Sequence, residues 1–256
     1  MISLKNINFN YDKKTNKKII YDLNFDFKEG NIYAILGKNG SGKSTLLNIM
    51  NGFLKCNNDS QIFINEKELK SIKIKERANV FTYIPQKMNW FYGGDVKSFL
   101  EFSFLHNKKC YENNLKKDEE EKIFQILKQF ELLDLINRPM NNLSGGQRQM
   151  IIFCAAILQN TNILYLDEPM SAMDLTNQAK VLKIIKELKN NNKIIIFTTH
   201  NPNHTLKLNC EVLILNEGKL IDYGPSREII NKEKMIEIFG PEIKNSSSLE
   251  YDEITI

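Results

Sequence analysis

The sequence predicts an α/β fold built on a parallel sheet. Three observations carry this. The segments "NIYAIL", "NILYLDEP" and "NKIIIFTTH" contain near-continuous apolar runs of strand length, the pattern of strands buried on both faces. The last two flank "NQAKVLKIIKELK", whose apolar residues recur at helical spacing, so together they read as a βαβ unit. The third is a glycine-rich stretch directly after "NIYAIL", followed by the helical pattern "KSTLLNIMNGFL".

Other elements follow in chain order. "ISLKNINFNY" and "KKIIYDLNFDF" alternate apolar and polar residues, which suits half-buried strands and predicts antiparallel β structure near the N-terminus. "QIFIN" and "NVFTYIPQ" are short strands. From about residue 90 to 160 the pattern turns helical, in "DVKSFLEFSFL", "DEEEKIFQILKQFELLDLI" and the stretch after "LSGGQ". "EVLILNEGKLIDYG" is a closing hairpin with Gly218 near its turn. The expected organisation is a single domain over residues 1–240 with an inserted helical block, then a polar tail at 241–256.

Composition narrows the function classes. The 256 residues include 35 basic and 31 acidic side chains, a net charge of +4, with the lysines spread along the chain. That is a solvated surface and no nucleic-acid footprint. Cys56, Cys110, Cys154 and Cys210 are far apart with no C-x-x-C pair, so they read as reduced packing residues of a cytosolic protein. The N-terminus has no signal-peptide pattern. The longest apolar runs, such as "MIIFCAAIL", fall short of the roughly 20 residues that span a bilayer.

The chemistry concentrates at four places. "GKNGSGKST", residues 37–45, fits the phosphate-binding pattern G-x-x-x-x-G-K-[ST] between a strand and a helix. Gly37, Asn39, Gly40, Ser41 and Gly42 wrap the backbone so that amides face phosphate oxygens, and Thr45 completes the cradle. Lys43 is placed to reach the β- and γ-phosphates, and Ser44 to put its hydroxyl on Mg²⁺. "ILYLDEP" ends a buried strand with Asp167, suited to holding Mg²⁺ through water, and Glu168, suited to polarising an attacking water. Gln86 and His200 each close a strand and can reach the same edge: the glutamine offers an amide oxygen to Mg²⁺ or water, the histidine a hydrogen bond to a γ-phosphate oxygen. His106 reads as solvated and His204 as a surface or capping residue. The fourth place, "LSGGQ", puts serine and glycine at a helix N-terminus, which is an anion site, although the chain already has one phosphate cradle.

These motifs together resemble the ATP-binding subunits of ABC transporters, from "LKNINFNY" to about "EIFG". The resemblance rests on the Walker A motif "GKNGSGKST", the Q-loop Gln86, the signature "LSGGQ", the Walker B motif "ILYLDE", the D-loop "SAMD" and the switch His200. It implies a P-loop NTPase (RecA-like) core with the inserted helical subdomain and an N-terminal antiparallel β subdomain. It also implies ATP and Mg²⁺ as ligands, and a head-to-tail homodimer with two ATP at its interface. Tyr11 matches the aromatic that stacks on adenine. Ser144, Gly145, Gly146 and Gln147 match the signature that meets the ATP of the partner subunit, and Asp174 matches the D-loop aspartate that crosses the interface. Integral membrane permease subunits and, indirectly, a substrate-binding protein are the implied partners, with this chain peripheral on the cytoplasmic face of the membrane. "DLTNQ" after the D-loop and "HNPN" at the switch are similar to importers for iron–siderophore, haem, cobalamin or molybdate. Two departures stand out. Met170 and Met173 replace the usual Thr and Leu, which points to altered packing. "FLHNKK" stands where those relatives often carry Gly-Arg, which puts the identity of the permease in doubt. Another ABC importer or exporter class, a soluble ABC ATPase of translation or repair, and a non-catalytic nucleotide-binding regulator are the alternatives.

Overall fold

The computed structural model describes residues 1–11, 18–86, 93–107, 116–171, 173–189 and 191–240. The expected tail, Cys110 and the middle of the helical block lie outside these residues. The His106 side chain also lies outside what is described.

The chain opens with strands β1 (Ile2–Phe9) and β2 (Ile20–Phe27), then β3 (Ile32–Leu36) and helix α1 (Lys43–Met50). Next come β4 (Gln61–Ile64), β5 (Lys67–Glu68), α2 (Ile74–Val80) and β6 (Phe81–Ile84). The helical block holds α3 (Val96–Glu101), α4 (Lys117–Gln129) and α5 (Gly145–Gln159). The remainder is β7 (Ile163–Leu166), α6 (Leu175–Lys189), β8 (Ile194–Thr199), α7 (Pro202–Leu208), β9 (Glu211–Asn216), β10 (Lys219–Pro225), α8 (Ser226–Ile229) and α9 (Lys232–Phe239).

Two sheets result. An antiparallel sheet has the order β2-β1-β4-β5, and a mixed sheet has the order β10-β9-β3-β8-β7-β6. In the mixed sheet β9, β3, β8, β7 and β6 run parallel, and β10 closes one edge antiparallel to β9. Every residue of β3, β7 and β8 is buried. Alternation then divides each strand between two cores. Ile32, Ala34 and Leu36 of β3, with Leu164 and Leu166 of β7, pack with the apolar faces of α5 and α6. Tyr33, Ile35, Ile163 and Tyr165 point the other way, against Leu46, Leu47, Ile49 and Met50 of α1 and the apolar face of the antiparallel sheet. This explains why these strands lack an alternating pattern: both faces need apolar residues.

Three local differences from the sequence expectation have physical causes. The long helical pattern beginning "DEEEKIF" stops at Gln129, because Glu131 takes a left-handed φ of 59° and the chain reverses. α2 gives no periodic apolar signal because none of its residues is buried. α8 and α9 bury only a few residues each and are similarly quiet in the sequence.

The β9–β10 hairpin has the two-residue turn Glu217–Gly218, with φ of 45° and 77°, the left-handed pair that matches strand twist. Its turn is tied into the rest of the molecule. The Gly218 amide donates to the Ser41 carbonyl at 3.0 Å, and its carbonyl accepts from the Tyr21 amide at 2.9 Å. A Cβ at position 218 would lie 2.0 Å from the Ile19 carbonyl oxygen. We predict that Gly218→Ala loses about 2 kcal/mol of stability, roughly 4–8 °C in melting temperature, readable by calorimetry. An unchanged melting point would show that the turn relaxes without cost.

Candidate functional site

Parallel register decides where the site lies. Leu36 pairs with Thr199, Leu166 with Phe197 and Ile84 with Leu166, so β3, β8, β7 and β6 end on one edge. Gly37, His200, Asp167 and Gln86 each follow one of those strand ends within two residues. Strand carboxyl ends are where open α/β sheets bind ligands, because the following loops splay apart there.

The cradle is built from the backbone outward. Gly40 and Gly42 have φ of 80° and 103°, left-handed values that a residue with a Cβ adopts only under strain. Gly37 is fixed by contact instead: a Cβ there would sit 2.2 Å from the Leu215 carbonyl oxygen and 2.6 Å from Ser41 Oγ. Lys43 begins α1 and is 5% exposed. Its ammonium donates to the Gly37 and Lys38 carbonyls, both at 2.9 Å, and lies 3.9 Å from Glu168 Oε1. Burial lowers its pKa despite the opposing pull of Glu168 and Asp167. Ser41 Oγ is buried with no hydrogen-bond partner among the described residues. A buried orphan hydroxyl in this loop is a cost that a hydrogen-bonding ligand would remove.

The carboxylates differ in environment. Asp167 is 3% exposed, and its Oδ1 accepts from Ser44 Oγ at 2.9 Å and from Thr198 Oγ1 at 2.6 Å. Burial raises its pKa, and the two hydroxyl donors oppose that rise. Glu168 has φ of 45°, and its amide donates to Thr198 Oγ1 at 2.8 Å. Its Oε2 accepts from Gln86 Nε2 at 2.9 Å, and its Oε1 lies 3.4 Å from His200 Nδ1. Lys43, Gln86, Glu168 and His200 thus meet at one carboxylate. Ser44 Oγ and Asp167 Oδ1, 2.9 Å apart, are oxygen donors of the kind a hard cation takes. The residues present fit Mg²⁺ bound together with phosphates.

Tyr11 is 65% exposed, stands edge-on to Phe9, and shares a hydrogen bond of 3.1 Å with Thr45 Oγ1. Its ring is therefore held next to the cradle with a face open to solvent. Asn39 also lies on the exposed rim of the cradle.

The signature segment lies apart from this cluster. Ser144 caps α5: its Oγ accepts from the Gln147 amide at 3.2 Å, and Gln147 Oε1 accepts from the Ser144 amide at 3.1 Å. Ser144 and Gly145 are exposed and Gly146 is half-buried. A Cβ at Gly145 would meet nothing within 4 Å. Among the described residues no contact therefore calls for glycine at this position. Asp174 is also exposed, and it caps α6 by accepting from the Asn177 amide at 2.8 Å. Met170 and Met173 are buried in the core beside α6, so the two departures from the usual residues are packing positions.

His204 corrects the sequence expectation. It is neither a surface residue nor a cap, because α7 is capped by Asn201, whose side chain accepts from the Asn203 amide. His204 instead sits among Thr199, Gln178 and Asn201. Burial above all, with nearby His200 and Lys207, lowers its pKa to about 4. Gln178 was also missed. The only signal for either residue was its place in the "DLTNQ" and "HNPNH" strings.

The family model described as "ABC transporter" matches residues 20–171. A probable iron chelatin transport ATP-binding protein of Helicobacter pylori is 34% identical over 86% of this chain and 85% of its own length. The molybdate import ATP-binding protein MolC of Haemophilus influenzae is 31% identical over 93% and 87%. Among solved structures, a metal-chelate type ABC transporter in an inward-facing conformation matches with a TM-score of 0.76 at 30% identity, covering 93% of this chain and 88% of that one. A dimeric ATP-binding cassette in a post-hydrolysis state bound to ADP and Pi matches with a TM-score of 0.77 at 26% identity, over 89% and 99%. The chain belongs to the ABC transporter family and is an ABC-type ATPase, with the P-loop NTPase fold of the ATP-binding cassettes.

The raised pKa of Asp167 has a consequence for stability. A carboxyl whose folded pKa lies above its unfolded value costs stability when ionised, and that cost is relieved as pH falls toward the folded pKa. Asn at 167 keeps an oxygen acceptor for Ser44 and Thr198 but removes the buried charge. We predict that Asp167→Asn melts at or above the wild-type temperature at neutral pH without nucleotide, yet loses Mg²⁺-dependent ATP hydrolysis. A lower melting point in scanning calorimetry would count against this account.

Proposed function

We propose that the chain is the ATP-hydrolysing subunit of an importer for a metal chelate or related oxyanion, of the iron–siderophore, haem, cobalamin or molybdate kind. It would act on separate permease subunits and, indirectly, a substrate-binding protein, from the cytoplasmic face of the membrane. The relatives named for iron chelatin, molybdate and metal-chelate transport support the substrate class. Among the described residues no helix is long and apolar enough to cross a membrane.

The observation that carries the catalytic reading is the convergence of Lys43, Gln86 and His200 on Glu168. In this reading Glu168 accepts a proton from the attacking water. Gln86 and His200 hold the carboxylate in position, and the γ-phosphate takes over Lys43. Ser44, Gln86 and Asp167 would hold Mg²⁺, which when bound neutralises charge on phosphate oxygens. Gly37, Asn39, Gly40, Ser41, Gly42 and Thr45 cradle the phosphates, and Tyr11 offers its open face to the adenine.

The open space at Gly145 supports the dimer. A glycine that no described residue crowds leaves room for a ligand from outside the chain. Ser144, Gly145, Gly146 and Gln147 would then read the γ-phosphate of ATP held by the partner subunit, with Asp174 also at the interface. Cassettes solved as dimers at 25–26% identity support this arrangement.

Two substitutions probe this geometry. Glu168→Gln keeps the hydrogen bond from Gln86 but removes the proton acceptor, so ATP turnover should fall about 10²–10⁴-fold while ATP drives a stable dimer. Light scattering that finds only monomer with ATP and Mg²⁺ would sink the sandwich for the isolated chain. Gly145→Leu should leave the melting temperature of the monomer near wild type, since the site is open, yet abolish ATP-dependent dimerisation in the Glu168→Gln background. A dimer that forms equally well with and without the Gly145→Leu change would remove the signature from the interface.

A further inference from the structure

Gln178 and His204 lie outside the cluster around Glu168, yet they connect its two ends. Gln178 is on the first turn of α6, and its amide nitrogen lies 3.0 Å from the Met173 carbonyl and 3.4 Å from the Met170 carbonyl. Those carbonyls belong to the loop that runs from Glu168 to Asp174. The amide oxygen of Gln178 lies 3.3 Å from His204 Nε2. His204 Nδ1 lies 3.2 Å from Thr199 Oγ1, the residue before His200.

The donors and acceptors in this chain have one consistent direction. Backbone carbonyls only accept, so the Gln178 nitrogen faces them and its oxygen faces His204. That oxygen only accepts, so Nε2 carries the proton. Burial keeps the imidazole neutral at physiological pH, which leaves Nδ1 as an acceptor; the single proton of the Thr199 hydroxyl goes to it at 3.2 Å in preference to the Asn201 carbonyl at 3.4 Å. Asn201 Nδ2 also lies 3.4 Å from Nε2, but an N–H cannot pair with an N–H, and the Gln178 contact is the shorter. Thr199 Oγ1 in turn accepts from the Asn201 amide at 3.0 Å, just beyond the switch position.

We propose that Gln178 and His204 are positioning residues that couple the backbone carrying Asp174 to the backbone carrying His200. The proposal rests on the ATPase reading above. Asp174 is exposed, where a partner chain can meet it, while His200 faces Glu168. A shift of the Met170 and Met173 carbonyls is passed through one amide and one imidazole to the hydroxyl of Thr199, next to His200. The placement of His200 against Glu168 then depends on what the exposed Asp174 touches. The chain of contacts starts at two backbone carbonyls and ends at the Thr199 hydroxyl, which the Asn201 amide ties to the backbone beside His200.

The test is steady-state ATPase kinetics on the full chain with Mg²⁺ and ATP, with melting temperature measured alongside. Gln178→Ala and His204→Leu should each lower kcat about tenfold, with KM for ATP and the melting temperature little changed. The double variant should be no slower than the slower single one, because both break one chain. His204→Gln should restore most of kcat, since its amide can accept from Thr199 and donate to Gln178. If His204→Leu fails to fold, Gln178→Ala alone decides, because its side chain is only half-buried. Single variants within twofold of wild-type kcat, multiplicative losses in the double variant, or losses that track melting temperature overturn the coupling. If the wild-type chain itself fails to hydrolyse ATP, the proposed function fails. If it hydrolyses ATP and the variants are indifferent, only the coupling fails.

Discussion

One oxygen atom organises the site. Asp167 Oδ1 accepts from Ser44 at the head of α1 and from Thr198 at the end of β8, while Asp167 itself ends β7. Three elements that are far apart in sequence are therefore held at one buried carboxylate. Thr198 serves twice, since its hydroxyl also receives the Glu168 amide and so helps hold that residue in a left-handed backbone. Burial alone would favour a protonated, weak acceptor. The two hydroxyl donors oppose this, and so the same contacts that assemble the cradle also tune the acid.

The arrangement depends on the sheet beneath it. Strands buried on both faces cannot slip by one residue without exchanging every side chain between the two cores. The pairings of β3, β8, β7 and β6 therefore fix the heights of Gly37, His200, Asp167 and Gln86 to within a residue or two. The glycine positions serve the same end from the other side. Gly37 lets the cradle pass close to Leu215, and Gly218 lets the β9–β10 turn reach Ser41, so the outer hairpin braces the phosphate loop. Ser144, Gly145 and Asp174, by contrast, are exposed.

Much of this was legible in the linear sequence, and for reasons specific to each residue. The phosphate loop declares itself because its glycines, lysine and serine fall within nine consecutive positions. Asp167, Glu168, Gln86 and His200 are legible because each ends an apolar run, and parallel strands end on a common edge. His204 and Gln178 were not readable in this way. A half-buried histidine and an exposed one have the same local sequence, and the difference lies in α6 and α7 packing together, 26 residues apart along the chain. The unanticipated α2 shows the same limit, for a helix with no fully buried residue leaves little periodicity.

The sequence by itself determined the α/β class, the phosphate loop, the paired carboxylates and the likeness to ABC ATPases, because those depend on short-range patterns of glycine, charge and apolar spacing. Only the tertiary structure decided which atoms share a hydrogen bond: Ser44 and Thr198 on one oxygen of Asp167, Gln86 on Glu168, and Gln178 through His204 to Thr199. Those pairings join residues on different strands and helices. They are set by sheet register and helix packing, which are properties of the whole folded chain.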